Sequence, residues 1–220
     1  PDCSTPPHAH DGCPPARQTS KFSQPHHEQN RRAVRRQFAH AVPMPDQRAM
    51  ANLALVGFMG CGKSTVGRQV ARELRFEFVD TDQLIEDRAG MPIPEIFANE
   101  GEAAFRALEK EVIASLANET GRVIATGGGA VMNPDNFASL KTHALVICLW
   151  ASAETLHERT RHQSHRPLLK QEDPLGTIRE MLKERGPVYK KADVIINTEL
   201  RPQREVAAQV RHQFQESSST

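Results

Sequence analysis

The chain has 220 residues, of which 38% are hydrophobic and 25% charged, and its formal net charge is +1 at pH 7. This balance of charge gives no reason to expect a nucleic-acid or membrane-surface partner, and the length suits one α/β domain with an extension. No apolar run approaches the roughly 18 residues that span a bilayer. The four cysteines form no disulfide framework, so we expect a reduced, cytoplasmic protein.

Residues 1–49 are expected to form a disordered, low-complexity extension. They hold eight of the fifteen prolines and five of the ten histidines, with few large apolar residues and no periodic apolar face before Arg31. Met50 stands just before the first predicted strand. We therefore expect a folded domain over residues 50–216, followed by a short tail at 217–220.

Two other interpretations of the extension stay open. Residues 31–42 are basic and faintly amphipathic, as in an organelle transit peptide, although the acidic residues nearby argue against one. A metal site is the second interpretation, but the spacing of its candidate ligands matches no standard zinc pattern; these ligands are Cys3, His8, His10 and Cys13.

The first predicted strand, 52–56, runs into a phosphate-binding loop. Residues 57–65 read GFMGCGKST and fit the pattern G-x-x-x-x-G-K-[ST], and a helix with apolar residues at helical spacing is predicted over 63–74. Glycines let backbone N–H groups turn toward a polyphosphate, and the helix N-terminus adds its positive end. Lys63 would reach the outer phosphates and the Ser64 hydroxyl would ligate Mg²⁺.

A second strand, predicted over 76–80, ends in Asp80-Thr81-Asp82, and a helix is predicted over 81–89. Ligands of an open α/β sheet bind beyond the carboxyl ends of its strands, which places both carboxylates beside the phosphate loop. One carboxylate near Mg²⁺ and one near an alcohol is what phosphoryl transfer to a hydroxyl requires. The alternative is a helix N-cap formed by Asp80 or Thr81.

The next predicted elements carry a candidate anion site. On a helix predicted over 102–118, Arg106 and Glu109 share a face, and an arginine held by a glutamate is well placed to bind a carboxylate with two hydrogen bonds. A strand over 123–126 then enters three glycines, 127–129, where the backbone can approach a ligand closely.

The remaining strands are predicted over 145–150 and 193–197, and the remaining helices over 153–161, 175–185 and 203–215. Alternating strands and helices indicate an α/β fold, a parallel sheet with helices on both faces. The polar, basic stretch 162–174 predicts a mobile lid loop with arginines clustered around it, namely Arg159, Arg161, Arg166 and Arg185. These features indicate an ATP-dependent kinase whose acceptor is small, hydroxylated and anionic.

As a set, the motifs GFMGCGKSTVG, DTD, FRALE, TGGG, RPLL and RGPVY resemble the shikimate kinase family in order and spacing, over about residues 51–215. The resemblance implies a P-loop kinase fold with a five-stranded parallel sheet. It also implies ATP- and Mg²⁺-dependent phosphorylation of the shikimate 3-hydroxyl, on the route to chorismate and the aromatic amino acids. We expect a monomer whose partners are the small molecules ATP and shikimate, with no nucleic acid or membrane.

The resemblance assigns the nucleotide side of the site. Ser64 would ligate Mg²⁺ and Asp80 would hold it through water, while Arg159 would lie against the adenine and Arg166, in the predicted lid, would reach the phosphates. The family's phosphate loop would be formed here by Gly60, Cys61, Gly62, Lys63, Ser64 and Thr65. The late adenine contact would fall near residues 201–203.

The resemblance also assigns the acceptor side. Asp82 would bind the shikimate hydroxyls and act as base, with Lys63 and Arg166 offsetting charge on the transferred group. Arg106, steadied by Glu109, and Arg185 would grip the carboxylate. The pocket would be lined by Gly127, Gly128 and Gly129, with Gly128 making a direct backbone contact.

Two rival functions are weighed against this one. A related small-molecule kinase, such as a gluconate kinase, could use the same loop, but the two arginines and TGGG fit a cyclic carboxylate better. A catalytically silent nucleotide-binding module is disfavoured because Lys63, Ser64, Asp80 and Asp82 are all intact. The sequence departs from the family's usual pattern after Tyr189, where Lys190 and Lys191 stand at a point that is usually acidic.

Overall fold

The computed structural model describes residues 50–161 and 173–218. Its strands are β1 (Asn52–Val56), β2 (Glu77–Asp80), β3 (Arg122–Ala125), β4 (Ala144–Trp150) and β5 (Val194–Asn197). Its α-helices are α1 (Lys63–Leu74), α2 (Thr81–Ala89), α3 (Ile93–Asn99), α4 (Gly101–Ser115), α5 (Pro134–His143), α6 (Ala153–Thr160), α7 (Pro174–Tyr189) and α8 (Gln203–Ser218). Two short 3₁₀ turns lie at Leu116–Asn118 and Ala130–Met132.

The five strands form one parallel sheet in the order β2-β3-β1-β4-β5. The predicted α/β fold with a five-stranded parallel sheet is thus confirmed. β1 and β4 are buried along almost their whole length, which suits their largely apolar sequences because helices cover both faces. Strand order reverses at β1, so the loop that follows β1 opens at the crevice where such sheets bind ligands.

The buried hydrophobic side chains of the described residues pack into two clusters, and the partly buried Leu84 contacts both. The larger one, the sheet core, joins all five strands to the helices around them and includes Leu55, Ile147 and Val210. The smaller one, which we call the helical cluster, joins α2, α3 and α4 and consists of Ile85, Ile96, Phe105 and Val112, with partly buried neighbours around them. The helix that carries Arg106 is therefore anchored partly in a small core of its own.

The structure differs from the predicted elements at several points. The helix predicted over 102–118 ends at Ser115 and gives way to the 3₁₀ turn Leu116–Asn118, and the bounds of β2, β3, β4 and β5 differ by one residue from those predicted. Helices α3 and α5 were not predicted; both carry a proline in their first turn, where the missing N–H costs nothing, and Asn133 caps α5. Helix α7 runs on to Tyr189 through Pro187 instead of ending at 185, since burial of the Tyr189 side chain keeps the last turn in place. Helix α8 ends at Ser218, beyond the predicted 215.

Several predictions fall outside the described residues. These are the disordered extension over 1–49, its transit-peptide and metal-site alternatives, and the lid loop with Arg166. Within residues 50–161 and 173–218, no helix combines the length and apolar character that a membrane span requires.

Candidate active site

The phosphate loop between β1 and α1 has the backbone that its sequence predicts. Gly57 has a φ of +130°, and a β-carbon at this position would lie 2.3 Å from the carbonyl oxygen of Leu149. Only glycine fits there. Gly62, also left-handed, leads directly into α1, so the loop ends on the positive N-terminus of a helix. The loop and the first turn of α1 line a cleft of about 730 Å³.

The Lys63 ammonium is held by the loop itself. It donates hydrogen bonds to the carbonyl oxygens of Gly57 at 2.8 Å and Phe58 at 3.0 Å. The residue is only 9% exposed, yet it lines the cleft. Its charge is therefore concentrated at the cleft wall, where low solvent exposure strengthens its attraction to an anion.

Ser64 and Asp80 place two oxygen atoms that could bind a metal close together at the end of β2. The Ser64 hydroxyl donates to Asp80 Oδ2 at 2.9 Å, and Asp80 Oδ1 accepts from the backbone N–H of Asp82. The N-cap alternative and the functional interpretation of Asp80 are thus compatible. Mg²⁺ is usually bound through one or two protein oxygens plus phosphates and water, so this pair fits it. Across the described ranges, no cluster of three or more His, Cys, Asp or Glu side chains is arranged for a metal.

The Asp82 carboxylate lies against the first residue of the triglycine segment, which we define as Gly127–Gly129. A β-carbon at Gly127 would lie 2.6 Å from Asp82 Oδ1 and 3.4 Å from Glu109 Oε1, so both carboxylates meet at this backbone. The Gly127 N–H donates to the hydroxyl of Thr81 at 3.0 Å, which ties the segment to the start of α2. Burial raises the pKa of Glu109, against the opposing effect of Arg106.

Arg106 projects from α4 toward the end of the same segment. A β-carbon at Gly129 would lie 3.5 Å from each terminal nitrogen of the guanidinium. Nη1 donates to Glu109 at 2.9 Å, and Nε and Nη2 donate to Glu102 at 3.3 and 3.2 Å. Burial acts to lower the pKa of Arg106, but its bonds to Glu109 and Glu102 outweigh that effect and raise it.

Arg185 reaches the triglycine segment from α7. Its Nη1 donates to the carbonyl oxygen of Gly128 at 3.3 Å, and the Tyr189 hydroxyl donates to the same oxygen at 2.7 Å. The guanidinium also lies over the ring of Phe58 in the phosphate loop, 5.5 Å from its centroid. Arg185 is thus placed between the phosphate loop and the position of Arg106.

Two cavities meet at the triglycine segment. Gly128 and Asp82 line the 730 Å³ cleft of the phosphate loop. The second cavity, of about 430 Å³, is lined by Glu102, Arg106, Glu109, Gly129, Met132, Asn133, Glu184 and Arg185. A molecule bound in the second cavity with its hydroxyl near Asp82 would therefore face the phosphate loop.

Arg159 marks the other end of the cleft. Its guanidinium donates to the hydroxyl and the carbonyl oxygen of Thr198 at 2.9 and 2.7 Å. Together with Arg201 and Gln203 these residues line a cavity of about 290 Å³ that also contacts Gly60 and Thr65 of the loop. The cavity thus includes Arg201 and Gln203, from the segment where the late adenine contact was expected.

Most of the described candidate residues line these cavities. Gly127 lies behind the lining, against Asp82, and Arg161 pairs with Glu158 away from it, while Arg166 lies outside the described residues.

Sequence reasoning missed three contacts. Thr81 is part of the DTD motif and Tyr189 is part of RGPVY, but the sequence analysis assigned neither residue a role. Glu102 lies four residues before Arg106, a helical spacing that would have identified it.

Comparisons with known proteins agree with this geometry. The family model described as "Shikimate kinase" matches residues 59–215. A shikimate kinase of Hahella chejuensis is 49% identical over 153 residues, covering 69% of this chain and 80% of the relative. One of Thermodesulfovibrio yellowstonii is 43% identical over 170 residues, covering 77% of this chain and 98% of the relative.

A solved structure gives the same result. Shikimate kinase from Acinetobacter baumannii, in complex with shikimate, superposes with a TM-score of 0.73 at 37% identity, covering 79% of this chain and 97% of that one. The curated relatives match across most of their own length, and the family model includes the residues after Phe58 in the phosphate loop as well as both arginines of the second cavity. The protein belongs to the shikimate kinase family and is a kinase.

Proposed function

We propose that this protein transfers the γ-phosphoryl group of ATP to the 3-hydroxyl of shikimate, with Mg²⁺ as cofactor, in the synthesis of chorismate and the aromatic amino acids. One observation carries the assignment of residues. The triglycine segment contacts the phosphate loop, Asp82, Arg106 and Arg185 at once. Its contact with the loop is close, since a β-carbon at Gly128 would lie 3.4 Å from the backbone nitrogen of Met59. The two substrates would thus meet at a single piece of backbone.

The nucleotide is assigned to the phosphate loop. Its N–H groups and the start of α1 would bind the phosphates, with Lys63 turning from its loop carbonyls toward the outer ones. Arg159 would lie along the base. Ser64 and Asp80 would hold Mg²⁺, which supplies positive charge to the phosphate oxygens when bound. The contribution of Arg166 stays a prediction.

The acceptor is assigned to the second cavity. Arg106 and Arg185 would bind the carboxylate of shikimate, and Asp82 would accept a hydrogen bond from the 3-hydroxyl. In the reaction the hydroxyl oxygen forms a bond to the γ-phosphorus, the bond to the ADP oxygen breaks, and the hydroxyl proton passes to Asp82. Catalysis would rest on positioning and on neutralisation of charge.

Substitution of Arg106 tests the assignment. In Arg106→Ala, we expect the KM for shikimate to rise about 10- to 100-fold, since charge-assisted hydrogen bonds are lost, while the KM for ATP changes less than about twofold. A coupled assay of ADP release measures both. The matched control is Arg88→Ala, whose arginine lies on α2 with an exposed ion pair to Glu111. Unchanged shikimate kinetics in Arg106→Ala would reject the role of Arg106.

A panel of acceptors tests the substrate. We expect ADP release to depend on shikimate and not on gluconate, since gluconate is an open chain that does not match a rigid cavity with two fixed arginines. Absence of shikimate-stimulated ADP release would return the protein to the class of silent nucleotide-binding modules. We also propose that the enzyme is cytoplasmic and monomeric, with its catalytic domain at residues 50–216. Gel filtration of the full chain would test the oligomeric state.

A further inference from the structure

The guanidinium of Arg106 is bound by two carboxylates of its own helix. Glu109 accepts from Nη1 at 2.9 Å and is 2% exposed, so it belongs to the fixed frame of the site. Glu102 accepts from Nε and Nη2 through one oxygen and is 68% exposed. The two carboxylates therefore differ: one is buried in place, and the other lies in the first turn of α4 with its side chain in solvent.

Glu102 occupies an edge of Arg106 that a carboxylate ligand could use. A guanidinium presents two edges for a bidentate contact, one formed by Nε and Nη2 and one formed by the two terminal nitrogens. Glu102 lies on the first edge, and the second edge faces Gly129. A carboxylate ligand must either displace Glu102 or share the same cation with it, and both weaken its binding.

The charges that line the second cavity also oppose the binding of carboxylate ligands. Two arginines line it, Arg106 and Arg185, but so do the carboxylates of Glu102, Glu109 and Glu184. The three carboxylates outnumber the two arginines. A ligand that carries two negative charges meets twice the repulsion from Glu102 that a single carboxylate meets, because the interaction scales with the product of the charges.

We propose that Glu102 is an internal competitor for Arg106, which weakens the binding of carboxylate ligands and selects a single carboxylate over a dianion. The proposal rests on the proposed function, in which Arg106 binds the substrate's carboxylate. Shikimate offsets this competition with its contacts to Arg185 and Asp82. A small anion that lacks hydroxyl groups has only the guanidinium pair and is held off by Glu102.

Glu102→Gln removes the charge and keeps the size of the side chain. Exposed ion pairs are worth little, so we expect the dissociation constant of shikimate to fall only about two- to fivefold. Benzoate and phthalate serve as a matched monoanion and dianion that compete with shikimate. The inhibition constant of benzoate should fall by a similar factor, and that of phthalate by a larger one.

Glu111→Gln is the matched control, because Glu111 lies on the same helix, is 66% exposed and pairs with an arginine outside the cavity. It should change none of these constants. Calorimetry of shikimate binding and inhibition kinetics measure the effects on the full-length protein, and thermal unfolding confirms that each variant folds. Unchanged or weaker shikimate binding in Glu102→Gln would overturn the proposal, and weaker binding would show instead that Glu102 positions Arg106.

The Arg106→Ala background separates this proposal from the proposed function. If Arg106→Ala leaves shikimate affinity unchanged, the role of Arg106 fails, and the role of Glu102 fails with it. If Arg106→Ala weakens shikimate but Glu102→Gln does not strengthen it, only the competitor role fails. If Arg106→Ala weakens shikimate binding and Glu102→Gln strengthens it, the gain in affinity from Glu102→Gln should largely disappear in the double variant. This is expected for two residues that act on one contact.

Discussion

The two halves of the active site are built by different means. On the nucleotide side, the loop before α1 is formed by backbone, with left-handed glycines and a lysine held by loop carbonyls. On the acceptor side, the geometry depends on long side chains from α4 and α7, each of them bound to carboxylates or carbonyls of the protein. Under the proposed assignment, phosphate binding therefore depends on local sequence, whereas acceptor binding depends on how distant elements pack.

The largest effect is expected from the nucleotide side. Lys63→Met keeps the length of the side chain and removes its charge, so we expect kcat to fall by up to about 10³-fold because stabilisation of the transferred phosphoryl group is lost. Steady-state kinetics measure the change. The control is Lys110→Met, since Lys110 is exposed on α4 and bonded to Asp135 at 2.7 Å. A Lys63→Met enzyme with kcat within tenfold of the wild type would contradict the comparison.

A smaller effect is expected where the two halves meet. In Gly127→Ala the new methyl group would lie 2.6 Å from Asp82 Oδ1 and must push the carboxylate away. We expect kcat to fall by about 10²-fold with little change in the KM for ATP, since a displacement of about 1 Å can cost that much. Gly186→Ala in α7 is the control, because a β-carbon there meets nothing within 4 Å. Equal losses in both variants would remove the positioning argument.

The smallest effect is expected at the amino-terminal ends of β1 and β4, away from both halves of the site. His143 is buried at the end of α5, and its Nδ1 lies 2.9 Å from the side-chain amide of Asn52. The side-chain oxygen of Asn52 accepts a hydrogen bond from the backbone N–H of Arg122, so the amide nitrogen of Asn52 is the atom that faces the ring. That nitrogen donates to Nδ1, which therefore carries no proton, and the imidazole is neutral. Burial lowers the pKa of His143 below 6.5.

The sign of the pH dependence follows from that shift. Below about pH 6.5 the unfolded chain binds a proton at this histidine and the folded chain does not, so stability falls as the pH drops toward the lowered pKa, by at most about 1.4 kcal/mol per pH unit. Urea unfolding at pH 7.5 and 5.5 measures the loss, which should shrink in His143→Gln. The shikimate KM at pH 7.5 should not change in that variant. An equal loss in the variant would assign the dependence to other groups.

The comparison also explains what the sequence could predict. β1, the loop and α1 were predicted to the residue, because their geometry is encoded in consecutive residues. Helix α3 was missed because Pro92 and Pro94 resemble a loop, and the helix depends on contacts with distant residues, such as the burial of Ile96 and the packing of Phe97 against Phe105. The contact of Arg185 with Gly128 could not be derived from spacing alone, since the two residues are 57 positions apart.

Glu102 illustrates the limit within a single helix. Glutamates stand both four residues before and three residues after Arg106, so spacing allows both pairs. Only the fold distinguishes them, since it buries Glu109 beneath the triglycine segment and leaves Glu102 in solvent. The fold class was therefore accessible from sequence, and the relative weight of the two partners was not; the roles of the site residues stay predictions.

The separation of the helical cluster from the sheet core has an evolutionary consequence. Phe105 packs in that cluster directly beside Arg106, and the cluster has just four fully enclosed side chains. A change in side-chain size there would act first on the position of Arg106, which the proposal assigns to the substrate's carboxylate, because the four buried side chains come from helices and not from the strands. New acceptor preferences could thus arise by repacking this minor core, while the machinery that handles ATP is inherited intact.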